Sequence, residues 1–253
     1  MIAVFINCAA VIIGALAGLL FSRRITEDFS QVVRSGAGVA TLVLGMQMAF
    51  KYENVIFLVL SLILGGILGS WWDIEGKITL LGKALERYLY RKQKLTSGDA
   101  SATPNTEQNP QYSSKPSFAY AFLNASVLFC VGAMSIVGSF QAGIDGDYST
   151  ILTKSVLDGF MAVVFGAAMG VGTAFSAVSI LVYQGLLTLA AGFLRNFVSE
   201  TLIAELTGVG GALIVMIGFN LLGITKLKTA NYLPAMLLVV LFVLASPWVT
   251  GLF

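Results

Sequence analysis

Asp158 lies in the stretch Lys154–Gly172, KSVLDGFMAVVFGAAMGVG, which is long and apolar enough to cross a bilayer. Of the 13 acidic residues, the other twelve fall in predicted loops or tails, leaving Asp158 alone inside a predicted span. A carboxylate among Val, Phe, Met and Gly costs roughly 2.5–3.5 kcal/mol on insertion scales, so it faces a partner, a cavity or a pathway. Two readings follow. Either Asp158 serves a solute, an ion or a proton, or it sits near the outer end of its helix and is locked to Lys154 one turn away.

Four amides share this setting. Asn7 and Asn124 lie early in apolar runs, and Gln47 and Asn220 lie near the far ends of theirs. An amide in hydrocarbon needs partners, and the ordinary one is an interhelical hydrogen bond worth on the order of 0.6 kcal/mol, up to about 2. The alternative is a midplane site in which such amides hold a small polar solute. Other chemistry is poorly supplied. The chain has no histidine, which removes His-based zinc sites and Ser–His pairs. Cys8 and Cys130 fall in apolar runs and read as small buried hydrophobes. Asp145 and Asp147 in IDGDYST lack the spacing of a calcium loop and read as a solvated turn. We therefore expect no enzyme, no cofactor and no metal centre.

These residues must be positioned by a membrane scaffold. Hydrophobic residues make up 57% of the 253, charged residues 11%, and mean hydropathy is +0.87. A soluble domain carries about 25% charged residues, so the chain is predicted to be an integral membrane protein. The net charge of +2 is too small for a nucleic-acid partner. Met1–Leu20 has no basic start, and Arg23 and Arg24 follow the apolar run, so the first segment is expected to stay as a helix.

Eight spans are predicted, at 3–22, 35–50, 54–72, 118–140, 152–172, 177–194, 207–224 and 232–251. The fifth and sixth are joined by only GTAFSA. With the N-terminus outside, twelve of the 15 basic residues fall in cytoplasmic segments, leaving Lys51, Lys154 and Arg195 outside. Both termini are thus predicted on the outer side of the membrane. In 73–94, Ile74, Ile78, Leu81, Leu85 and Leu89 make a stripe at helical spacing, with basic residues mostly off it. This reads as an amphipathic helix lying on the cytoplasmic surface or docked against the bundle. Residues 96–117 are rich in Ser, Thr, Pro, Asn and Gln and read as a linker.

The linker divides the chain into a first membrane repeat, 1–95, and a second, 118–253. FINCAAV around Asn7 is echoed by FLNASV around Asn124, in helices predicted to run in opposite directions. Gly38-x6-Gly45 with Gln47 is echoed by Gly211-x6-Gly218 with Asn220. Matching phrases in opposed helices mark an inverted-topology repeat. Gly14-x3-Gly18, Gly65-x3-Gly69 and Gly166-x3-Gly170 read first as close-packing devices. Pro234 and Pro247 suggest a kink in the last span.

The opening FINCAAVIIGALAGLL, the GAGVATLVLGMQM and KSVLDGFMAVVFGAAMG stretches, GGALIVMIGFNLLGI and LPAMLL together carry a family resemblance. The chain resembles the bacterial membrane family catalogued as domain of unknown function 554, over nearly its whole length apart from 96–117. The resemblance implies a multi-pass inner-membrane protein and marks Lys154 and Asp158. It supplies no reaction.

The expected fold is an all-α integral membrane protein of about eight transmembrane helices, with an inverted-topology repeat and one cytoplasmic amphipathic helix. The expected function is a small secondary transporter or channel-like permease for a small polar solute or ion. Its site would centre on Asp158 and Lys154 and be lined by Asn7, Asn124, Gln47 and Asn220. Its partners would be the bilayer and that solute, with a homo-oligomer left open. The competing expectation is a non-transporting membrane protein that binds a partner through the 73–94 helix and the linker.

Overall fold

The computed structural model describes residues 1–22, 27–80, 117–194 and 198–250, and all regular structure within them is helical. Helix α1 (Ile2–Ser22) is apolar on every side, as a helix between lipid and protein must be. Helix α2 is Glu27–Ala49, and α3 is Val55–Trp71. Asn54 starts α3 by accepting the Ile56 N–H at 2.9 Å. Ser117 and Ser199 start α5 (Phe118–Cys130) and α9 (Glu200–Leu221) in the same way. Between α3 and α5 lies α4 (Ile74–Leu80), bent 51° from α3. The bend falls at Asp73, whose φ of 44° is one that Asp tolerates better than most residues. The remaining helices are α6 (Ala133–Ile144), α7 (Ser149–Met169), α8 (Gly172–Leu194) and α10 (Pro234–Thr250).

Six of these helices are long and apolar enough to cross a membrane, and there are up to eight spans if each bent pair is one crossing. The two bent pairs are α3–α4 and α5–α6, the second bent by 60°. Large apolar side chains such as Ile13, Ile67, Phe160 and Leu189 face outward, as hydrocarbon solvent requires.

Several boundaries differ from those expected. The span predicted at 118–140 is broken at Val131–Gly132, where Gly132 adopts φ 131°, a conformation open to glycine. The connection between α7 and α8 is Gly170–Val171, with Gly170 at φ 94°, so GTAFSA begins α8 and is not the turn. Helix α9 starts at residue 200, not 207, because Ser199 caps it. Pro234 opens α10 at its first position, where its missing N–H costs nothing, so it does not kink the span. The amphipathic 73–94 helix is seen over α4, docked on the bundle through Ile74 and Ile78. Residues 81–116 lie outside the described residues, and Ser117, expected to end the linker, caps α5.

The packing fixes relative directions. Along α1 and α7, contacts advance together: Gly14 lies against Gly159 and Ala162, and Gly18 against Val163 and Ala167. Those two helices are parallel. Met1 lies near Gly185 while Cys8 donates to the Ala177 carbonyl, so α1 and α8 are antiparallel. Phe118 meets Phe175 and Ser126 meets Ser179, so α5 and α8 are parallel. Gly65 meets Ala235 and Gly69 meets Asn231, an antiparallel pairing of α3 with the start of α10. Helices α2 and α9 are antiparallel too. Gly38 lies against Leu222, Gly45 against Val215, Gly218 against Leu42 and Gly211 against Ala49. Each relation has the sense that eight alternating crossings demand. The two sequence halves interleave, since α1, α2 and α3 all pack against helices of the second half.

Candidate functional site

Helix α7 carries Lys154 and Asp158 one turn apart on its buried face. Asp158 is nine residues from the start of a 21-residue helix, so it lies about 14 Å along a rod of about 31 Å. It is at mid-span, not near the outer end as the locking reading had placed it. The two side chains form an ion pair, and the residues are only 6% (Lys154) and 8% (Asp158) exposed.

The ammonium of Lys154 has a second acceptor, the Phe129 carbonyl at 2.8 Å. That carbonyl is available because α5 breaks two residues later. In a continuous helix it would receive the N–H of residue 133. Ser135 also donates to it, at 3.2 Å. The broken span thus turns a backbone oxygen towards the charged pair.

On the other side stands Asn7, from the buried stripe of α1. Its Nδ2 donates to Asp158 Oδ2 at 3.2 Å and to Gln184 Oε1, on α8, at 3.1 Å. Because a carboxylate only accepts, the Asn7 amide must present its nitrogen to Asp158. Its Oδ1 is then left without a partner among the described residues, and so is Gln184 Nε2. Both side chains are fully buried. Thr188, one turn beyond Gln184, is also buried with its hydroxyl unpartnered. Buried polar atoms are ordinarily satisfied, so the exceptions at Asn7, bonded to Asp158, and at Gln184, bonded to Asn7, mark a polar site.

The structure brings together three of the six expected residues: Asp158, Lys154 and Asn7. Asn124 is buried elsewhere, at the floor of a half-open cavity of about 120 Å³ with Glu75, Thr79, Ser117, Tyr120 and Thr229. It is about 7.5 Å along α5 from Phe129, on the side of the α3–α4 bend. Asn220 holds the connection after α9, donating to the Leu227 carbonyl at 2.8 Å and accepting from Thr225 and the Leu227 N–H. Gln47 is exposed on the outside of α2. Neither contacts the charged pair.

Two residues were missed. Gln184 was visible as an amide in an apolar run, the same signal that singled out the other four. Glu205 was assigned to a loop but is fully buried in α9, accepting from the backbone of Glu53 and Asn54. Its Oε2 has no partner among the described residues. Asp147 is the turn residue expected, exposed and accepting from the Ser149 N–H at 2.9 Å, which holds its carboxyl below the usual range. Among the described residues no three of His, Cys, Asp and Glu converge on a metal position.

Fold and site define a multi-pass helical membrane protein with a charged pair at the middle of a span. The chain matches the family described as "Protein of unknown function (DUF554)" over residues 2–244, and it belongs to that family. It is 30% identical over 244 residues to the uncharacterized membrane protein YdfK of Bacillus subtilis (strain 168), covering 94% of each chain. It is also 30% identical over 234 residues to the uncharacterized protein YqgA of Escherichia coli (strain K12), covering 92% of each. No solved structure matches the chain.

Proposed function

We propose that this protein is a small secondary transporter or channel-like permease for a small polar solute or ion, without a catalytic step. One observation carries the reading: the mid-span Lys154–Asp158 pair is joined to a carbonyl that a broken helix sets free. Discontinuous helices with unwound carbonyls at mid-membrane are the means by which transporters hold ions. A pair placed only for stability gains little there, since buried pairs often match or fall below apolar packing.

The inverted repeat is part of this proposal. Helices α1 and α5 carry the matching Asn phrases and run oppositely, judged by their opposite senses against α8. The helices that carry the matching glycine pairs, α2 and α9, pack on each other across one antiparallel seam, each glycine against a residue of the opposite helix or its C-cap. Both relations suit a pseudo-two-fold axis in the membrane plane.

The test is flux into liposomes of phosphatidylethanolamine and phosphatidylglycerol, read with radiolabelled sodium and rubidium, an entrapped pH dye, and glycerol-driven swelling. Lys154→Gln/Asp158→Asn leaves no unpaired charge and should fold, yet its flux should fall to the protein-free rate. Full flux in that double variant would reject Asp158 as the site.

The placement of both termini outside an inner membrane rests on the distribution of twelve of the 15 basic residues. Single cysteines at Asp147 and Thr79, on a background lacking Cys8 and Cys130, test it. A membrane-impermeant maleimide applied to intact cells should label the first and spare the second; the reverse pattern inverts the orientation.

A further inference from the structure

We infer that Asp158 and the Phe129 carbonyl form a site for a monovalent cation, which the tethered ammonium of Lys154 fills in this conformation. The inference rests on the permease reading and narrows its solute to one class: sodium, potassium or a small ammonium ion.

An ammonium group and an alkali cation are recognised by the same oxygens. Here Lys154 Nζ takes one carboxylate oxygen and one backbone carbonyl oxygen, the hard donors such ions prefer. One carboxylate balances one positive charge. The side chains that hydrogen-bond Asp158 are Lys154 and Asn7, neither of them acidic, so the site is matched to a single charge and not to a divalent ion. The carbonyl is present only because α5 stops at Cys130 and the chain turns through Gly132. An i,i+4 ion pair alone would need no such break.

Asn7 supplies the means of exchange. With the ammonium in place, its nitrogen faces Asp158 and its Oδ1 is idle in a fully buried position. A half-turn of the amide would present that oxygen towards the carboxylate, where it serves a bound cation as a further ligand. Gln184, whose oxygen now receives Asn7 and whose nitrogen is idle, can follow with the complementary rotation. The two atoms left idle with Lys154 in the site are the ones a free cation would engage, Asn7 Oδ1 through the ion and Gln184 Nε2 through that same oxygen.

The test empties the site and asks what refills it. Lys154→Ala removes the tethered cation and leaves Asp158 uncompensated, and Lys154→Met does the same while keeping most of the stem's volume. Both are purified and melted in detergent at constant ionic strength, in N-methylglucamine, lithium, sodium, potassium or ammonium chloride. At least one small cation should raise the melting temperature of the variants by about 3–8 °C over N-methylglucamine, saturably, as ligand linkage requires. The wild type should not respond, and Lys154→Ala/Asp158→Asn should lose the response. Recovery of folded Lys154→Ala only when one of these salts is present counts as the same result. If neither single variant responds to any of the cations, or neither is recovered in any of them, the proposal is overturned. Cation-specific stabilisation without liposome flux keeps the site and rejects transport. Flux without cation-specific stabilisation rejects the cation site and leaves a permease for another solute.

Discussion

The α2–α9 seam and the α1–α7–α8 core are both buried contacts between helices, yet they are made of opposite materials. In the seam, glycines of each helix lie against the backbone of the other, and a methyl added at Gly211 would sit 2.2 Å from the Ala49 nitrogen. The seam holds no charged pair among the described residues. The core between α1, α7 and α8 places a charged pair, two amides and a hydroxyl in contact or one turn apart, and leaves three polar atoms unpartnered. Close backbone approach needs no specific chemistry and is satisfied once formed. Buried polar atoms left idle cost stability, and the proposed solute-binding role would account for that cost here.

The largest expected effect falls in the polar core. Asp158→Asn leaves Lys154 as a buried charge whose remaining partner in the structure is a carbonyl, and removing one member of a buried pair costs about 3–5 kcal/mol. The melting temperature in detergent should fall sharply, and adding Lys154→Gln should restore most of it. If the double variant melts no higher than Asp158→Asn, the pair is not coupled as the geometry indicates.

A smaller loss is expected in the seam. Gly211→Leu drives a side chain into the backbone of Met48 and Ala49, and overpacking of that kind costs about 1–3 kcal/mol, sometimes more. Its signature should differ from that of the core: lower folded yield on size-exclusion chromatography, with flux per folded molecule unchanged. A Gly211→Leu protein that folds normally but loses flux would make the seam a moving part and undo the contrast drawn here.

The smallest effect should come from Gln47, which lies on α2 but off the seam. Gln47→Ala exposes no buried partner and should change stability by less than about 0.5 kcal/mol, with flux intact. A clear loss of flux would return Gln47 to the pathway and require a different arrangement of α2.

The membrane class, a set of six to eight candidate crossings and the Lys154–Asp158 pair were legible from residue order alone. Apolar length decides what can cross a bilayer, and a spacing of four puts two side chains on one helix face whatever surrounds them. The pairs Gly14–Gly18 and Gly65–Gly69 were legible as close-packing devices, although the sequence left open which helix each would meet. Of the third pair, Gly166 packs on Ala15, while Gly170 has open space around it and makes the turn into α8. The amides were harder. Asn7, Asn124, Gln47 and Asn220 look alike in sequence, but Asn7 reaches the pair, Asn124 floors a separate cavity, Asn220 braces a loop and Gln47 faces outward. Their fates depend on how each helix is rotated about its axis, which is set by the neighbours it packs against. Glu205 was misplaced for a related reason: a cap at Ser199 extended α9 past the apolar run that had defined it. The Phe129 carbonyl had no side-chain signal at all. Every residue carries that oxygen, and only a break in the backbone at Gly132, together with α7 packed beside it, turns this one towards a charge.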